Sequence, residues 1–146
     1  MTYATQQDLI DRADNGERTL IELTDRAQPP LRAVNAVVVA KALGDADALI
    51  EPFLAARYAV PLATVPKLVN LIACDIALHN LYGNRANEGV KAAYEEAMKL
   101  LRDIAAGRVT LGLDALNIPA TTNGGGSAQS FSSGRTFNAD TLAGFV

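Results

Sequence analysis

Tryptophan is absent from this 146-residue chain, aromatic residues make up only 5% of it, and there is one cysteine and one histidine. Without large rings the core has to be built from Ala, Leu, Val and Ile, which favours closely approaching helices. A lone cysteine, Cys74, can form no intramolecular disulfide and fits a reducing compartment. One His and one Cys without paired-ligand spacing argue against a zinc-type site, and Asp45, Asp47 and Glu51 do not follow calcium-loop spacing. No apolar run approaches the ~20 residues that cross a bilayer, and the N-terminus lacks the basic start and apolar stretch of a signal peptide. The expectation is a chain that works in a cytoplasm-like compartment, away from membranes. Positive charge is scarce as well: 13 Lys and Arg against 16 Asp and Glu leave a net charge of -3. Sequence-specific or tightly wrapped DNA is therefore an unfavourable ligand, because neutralising phosphates requires clustered basic residues.

What the chain does contain is 49% hydrophobic residues over a length of about one domain, enough for a modest core. Thr5, with Asp8 three positions on as an acidic capping box, predicts a short helix through Ala13 that Gly16 breaks. Glu17 to about Thr24 reads as a second short helix carrying Leu20, Ile21 and Leu23, and Pro29-Pro30 then holds the chain extended. Asn35 is a cap for a long helix to about Arg57, with Val38, Val39, Ala42, Leu43, Ala46, Leu49, Ile50, Phe53 and Leu54 along one side. Pro52 predicts a kink or division of that helix near residues 48 to 52, and Asp45, Asp47 and Glu51 are expected mainly on its solvent side. Small residues such as Ala42, Ala46, Ala55 and Ala56 permit tight helix contacts within or between subunits.

Residues 57 to 83 carry the strongest punctuation. Arg57-Tyr58 lead into Pro61, and Pro66 suits the first turn of a new helix, so the segment reads as a rigid elbow. Beyond it Leu68, Leu71, Ile72, Asp75, Ile76, His79 and Tyr82 recur at helical steps, with Gly83 as terminator. Asp75 is the one carboxylate on that mostly apolar face, and Arg57 and Tyr58 are its candidate partners. Asn87 caps a further helix with the stripe Val90, Tyr94, Ala97, Leu101 and Ile104, closed by Gly107. Lys91 with Glu95 and Lys99 with Asp103 are expected as ion pairs on its outer face.

After Gly107 the composition changes. The final 40 residues hold 7 of the 11 glycines and four charges, Arg108, Asp114, Arg135 and Asp140, which cancel. Val109, Leu111 and Leu113 alternate as in a short strand, residues 121 to 133 read as a Gly/Ser linker, and Asn138 can cap a last turn through Leu142. Phe131, Arg135, Phe137, Leu142 and Phe145 give this tail a docking character, because a disordered tail ordinarily avoids exposed aromatics. The reading is a mainly α-helical domain of four to five helices over residues 1 to 107, with an extended C-terminal docking arm over 108 to 146.

No constellation supports catalysis. Cys74 and His79 are five apart and point in different directions on a helix, while Asp75 with His79 or an arginine makes a structural contact. The Gly124-Gly125-Gly126-Ser127 run lacks a following lysine and a strand-to-helix setting, so it is a linker rather than a phosphate cradle. The expectation is a protein with no enzymatic activity, no cofactor and no metal.

The order Arg57-Tyr58-Ala59-Val60-Pro61-Leu62, Val65-Pro66, Ala73-Cys74-Asp75-Ile76-Ala77 and Leu81-Tyr82-Gly83 resembles the small neck protein of Mu-like tailed bacteriophages, a head-tail connector family. The opening Met1 to Thr5 with Asp8-Leu9, the run Leu20 to Arg26, the exit Ala105 to Gly112 and the closing Ser133 to Phe137 with Leu142 to Phe145 are similar to it too. The resemblance implies a structural virion protein that assembles as a dodecameric ring beneath the portal after DNA packaging. In that setting it completes the head, gives the tail-completion or tail terminator protein a platform, and lets DNA pass through its channel without sequence-specific binding. The alternatives are a tail terminator or other neck component, and a small helical regulatory or DNA-binding protein.

Overall fold

The computed structural model describes residues 2–113 as a helical bundle wrapped around one central helix. The helices are α1 (Gln6–Arg12), α2 (Glu17–Thr24), α3 (Ala36–Ala55), α4 (Lys67–Tyr82) and α5 (Glu88–Ala105), with a 3-10 turn, Gly83–Arg85, between the last two. No strand occurs among the described residues.

Local chemistry sets the helix starts. The Asp8 amide donates to Thr5 Oγ1 at 3.3 Å while the Thr5 amide donates to Asp8 Oδ2 at 2.7 Å, a reciprocal capping box. These bonds to Thr5, with a further one from Asn70, hold the Asp8 carboxyl below its ordinary pKa. Asn35 Oδ1 accepts from the amides of Val37 and Val38, and Asn87 Oδ1 from that of Val90. Glycines at positive φ close two helices: Gly83 at 52° ends α4, and Gly107 at 75° follows α5.

The long helices α3, α4 and α5 pack on one another, and α1 and α2 lie across α4, so α4 has neighbours on nearly every side. Its buried residues are Val69, Ile72, Ala73, Cys74, Ile76, Ala77, Leu78 and Leu81. The face predicted from helical steps is therefore only half right: Leu68, Leu71, Asp75, His79 and Tyr82 are half-buried, and the deepest side lies toward Val69, Ala73 and Ala77. Pro66 stands at the cap position, one residue before the first turn that it was expected to occupy. Ala42 and Ala46 are buried and let α3 approach α4, whereas Ala55 and Ala56 are exposed.

Two expectations for α3 are corrected. The helix runs unbroken through Pro52, because only one backbone bond is forfeited while Ile50 and Leu54, both 0% exposed, lock the last turn into the core and the proline ring faces water. Asp47 is buried rather than solvated, since it lies four residues after Leu43 and three before Ile50 on the inward side. Its Oδ1 accepts the Tyr3 amide at 3.1 Å, and burial raises its pKa against the lowering effect of that bond. Asn70 Nδ2 donates to the Tyr3 carbonyl at 3.1 Å, so the N-terminal segment is pinned to both α3 and α4.

The outer-face ion pairs also differ from expectation. Lys91 pairs with Glu88 at 3.4 Å and Lys99 with Glu96 at 3.9 Å, both three residues back, while Asp103 takes Arg108 at 2.8 Å. All are exposed enough to contribute little to stability.

Candidate functional site

The elbow and the chain exit meet. Tyr58 is 4% exposed, and its hydroxyl accepts the backbone N–H of Leu111 at 3.2 Å. The Arg57 guanidinium lies directly over Gly107, where a Cβ would overlap it. Val109, Leu111 and Leu113 pack on the core instead of forming a strand, because the Leu111 amide is taken by Tyr58 and not by a neighbouring strand. Between Tyr58 and this exit the elbow continues through the cis Val60–Pro61 peptide and buried Leu62 to half-buried Val65 and Pro66. Arg57 and Tyr58 are thus anchors for the point from which the C-terminal segment departs.

Asp75 is not their partner. Its carboxylate receives Arg12 Nε at 2.9 Å and Arg12 Nη2 at 3.0 Å, a two-pronged pair joining α1 to α4. The Asp75 side chain is 14% exposed and that of Arg12 is 42% exposed. His79, the other neighbour considered for Asp75, stacks on Tyr94 with ring centroids 4.1 Å apart. The signal for Arg12 in the sequence was the single basic residue in the acidic stretch Asp8, Asp11, Asp14, but nothing local ties it to a residue 63 positions away. Asp75→Ala is expected to cost about 1–2 kcal/mol, the lower part of the range for an orphaned donor, because half-exposed Arg12 can rehydrate. A double-mutant cycle with Arg12→Ala, read by thermal melts, should return a coupling of about 0.5–1 kcal/mol, and zero coupling would contradict the pairing.

The Arg12–Asp75 pair forms one wall of a groove of about 600 Å³ between the end of α1, the C-terminal half of α4 and the first turn of α5. Ala13, Leu78, Tyr82, Val90 and Ala93 give it an apolar floor, and Asp14 and Glu88 an acidic edge. Cys74, next to Asp75 on α4, is 1% exposed, with its thiol pushed up to about 12, chiefly by burial and further by Asp8 and Asp75. Such a thiol carries almost no thiolate at neutral pH and is no nucleophile. Among the described residues no group of three or more His, Cys, Asp or Glu stands close enough to hold a metal ion. The docking-arm residues Phe131, Arg135, Phe137, Leu142 and Phe145, and the 124 to 127 glycine run, lie outside the described residues.

The chain matches the sequence profile of the family described as Bacteriophage Mu, Gp36 over residues 3–130. It is 32% identical over 145 residues to the Mu-like prophage FluMu protein gp36 of Haemophilus influenzae, covering 99% of this chain and 98% of that protein. It is 30% identical over 115 residues to Gene product J of Escherichia phage Mu, covering 79% of each.

Proposed function

Because the chain belongs to the bacteriophage Mu Gp36 family and is a Mu-like phage protein, we propose that it is the structural head-tail connector of such a phage. In this reading it sits as a ring in the virion neck below the portal, after assembly in the host cytoplasm, and presents the platform to which the tail terminator or tail-completion protein attaches. It performs no chemistry and needs no cofactor.

The observation that carries the proposal is the union of the elbow with the chain exit. A connector has to join two large bodies, which requires a stiff core and an extension launched from a fixed point. Tyr58 holding the Leu111 amide, with Arg57 over Gly107, supplies that fixed point on a bundle whose central helix is buried on most sides. The remaining residues, 114 to 146, carry the aromatic and apolar positions suited to docking. Many arms engaging one partner together bind far more tightly than any one of them alone. The net charge of -3 suits a channel wall past which DNA slides without sticking.

The test compares partners. Purified chain is incubated separately with DNA-filled, portal-bearing heads lacking necks and with isolated tail tubes, and each is sedimented. A connector co-sediments with the heads and restores tail joining. Capping of tail tubes without retention on heads would make the protein a tail terminator instead, and a gel shift of DNA that weakens steeply with salt would make it a nucleic-acid-binding protein.

A further inference from the structure

Leu31 and Val37 are large apolar side chains that are 75% and 78% exposed. They stand at a tip made by the loop between α2 and α3 and by the first turn of α3. Among the described residues nothing covers them. The tip is nevertheless firmly built. The Asp25 carboxylate accepts the Ala27 amide at 3.2 Å and the Arg32 amide at 2.6 Å. Thr24 Oγ1 accepts the Asn35 amide at 2.9 Å and donates to the Leu20 carbonyl at 2.7 Å, stitching the end of α2 to the start of α3. Arg32 is held at φ 53°, a left-handed conformation that costs a non-glycine residue about 1 kcal/mol.

The groove walled by Arg12 and Asp75 has the complementary character. Its floor is apolar, Arg12 is already neutralised by Asp75, and its edge carries exposed Asp14 together with exposed Glu88, which pairs with Lys91. The tip carries exposed Arg32, with Arg26, Lys41 and Asp45 beside it and the Asp25 carboxylate turned onto backbone amides, so it keeps a small positive excess against the small negative excess of the groove. The two surfaces also sit against different parts of α4: Arg26, Val38 and Lys41 share a shallow depression with Asn80 and Leu81, whereas the groove uses Asp75, Leu78 and Tyr82.

We propose that the Leu31/Val37 tip of one copy seats in the Arg12–Asp75 groove of the next, forming the head-to-tail contact between subunits. This deepens the connector reading and rests on it for the closure of the contact into a ring. A contact between two different surfaces leaves one of each free at every step, so it propagates until rotation closes it. Leu31 and Val37 would supply the buried apolar centre, and Arg32 facing Asp14 and Glu88 would set the register.

The test is cross-linking of the full-length chain. Leu31→Cys and Gly89→Cys are placed together in one chain, and the protein is treated with a short bis-maleimide both free in solution and bound to portal-bearing heads. Native Cys74, buried with a thiol near 12, stays silent. The expected result is a ladder of covalent oligomers from the double variant and only dimers from a mixture of the two single variants. Arg32→Glu added to the double variant should remove the ladder, and Glu88→Arg on top of it should restore it. Circular dichroism checks each variant, and Ala33→Cys with Gly89→Cys, both at exposed positions and outside the residues assigned to the contact, serves as a second pair. No ladder in either setting, or efficient dimers from Leu31→Cys alone, would overturn the proposal. Loss of the ladder in a chain that still binds heads fails this interface only, whereas a ladder in a chain that ignores heads fails the connector reading only.

Discussion

Ile76→Ala should lower the stability of the bundle by about 2–5 kcal/mol, the cost of removing three carbons from a core position that cannot collapse around the gap. Ile76 is 0% exposed and stands on α4, which touches every other α-helix of the described bundle. Neighbours held from several directions relax little, so the vacated volume persists as a cavity. For a body of this size the melting temperature should fall by roughly 10–20 °C. Val37→Ala is the matching control, because it removes apolar carbons from a side chain that is 78% exposed and should stay within about 0.5 kcal/mol of the parent. Equal losses from both variants in a thermal-melt series would mean that α4 is not the centre of the fold.

That contrast marks what could be read in advance and what could not. Helix ends were legible because their chemistry is local: Thr5 with Asp8, Asn35, Asn87, Gly83 and Gly107 all cap or close the helices they were expected to. The stripes on α3 and α5 were legible for a related reason, since each of these helices has one wet side and the periodicity shows it. On α4 that signal flattens. A helix surrounded on most sides has few polar residues to mark its outside, so helical spacing selected the half-buried line Leu68, Leu71, Asp75, His79 over the deeper one through Val69, Ala73 and Ala77.

The polar contacts that organise the candidate site were the least legible. Asp47 with Tyr3 spans 44 residues and Asp75 with Arg12 spans 63, and no local rule pairs them. For Asp75 the need for a cation was evident from its apolar face, yet the cation came from α1 and not from the elbow. Arg57 and Tyr58 were assigned the wrong partner, because the chain exit, far along the sequence, folds back to them. Leu31 and Val37 look like ordinary core residues in sequence, and only the packed bundle shows that nothing in it covers them.

The second large effect concerns attachment rather than stability. Residues 121 to 146 include Phe131, Phe137 and Phe145, and the chain that leads to them is fixed to the body as far as Leu113 by the Tyr58 bond and the packing of Val109, Leu111 and Leu113. Deleting them leaves in place the contacts among α1 to α5 within the described residues 2–113. It does remove the segment proposed to grip the partner, and with it the avidity of every subunit in the proposed ring at once. Helix content and melting temperature should therefore stay at the full-length values while binding collapses. The decisive measurement is co-sedimentation of the chain lacking residues 121 to 146 with purified portal-bearing heads, alongside its circular dichroism. A correctly folded body that no longer stays on the heads is the predicted result, and a truncated chain retained as well as the full-length one would contradict the account.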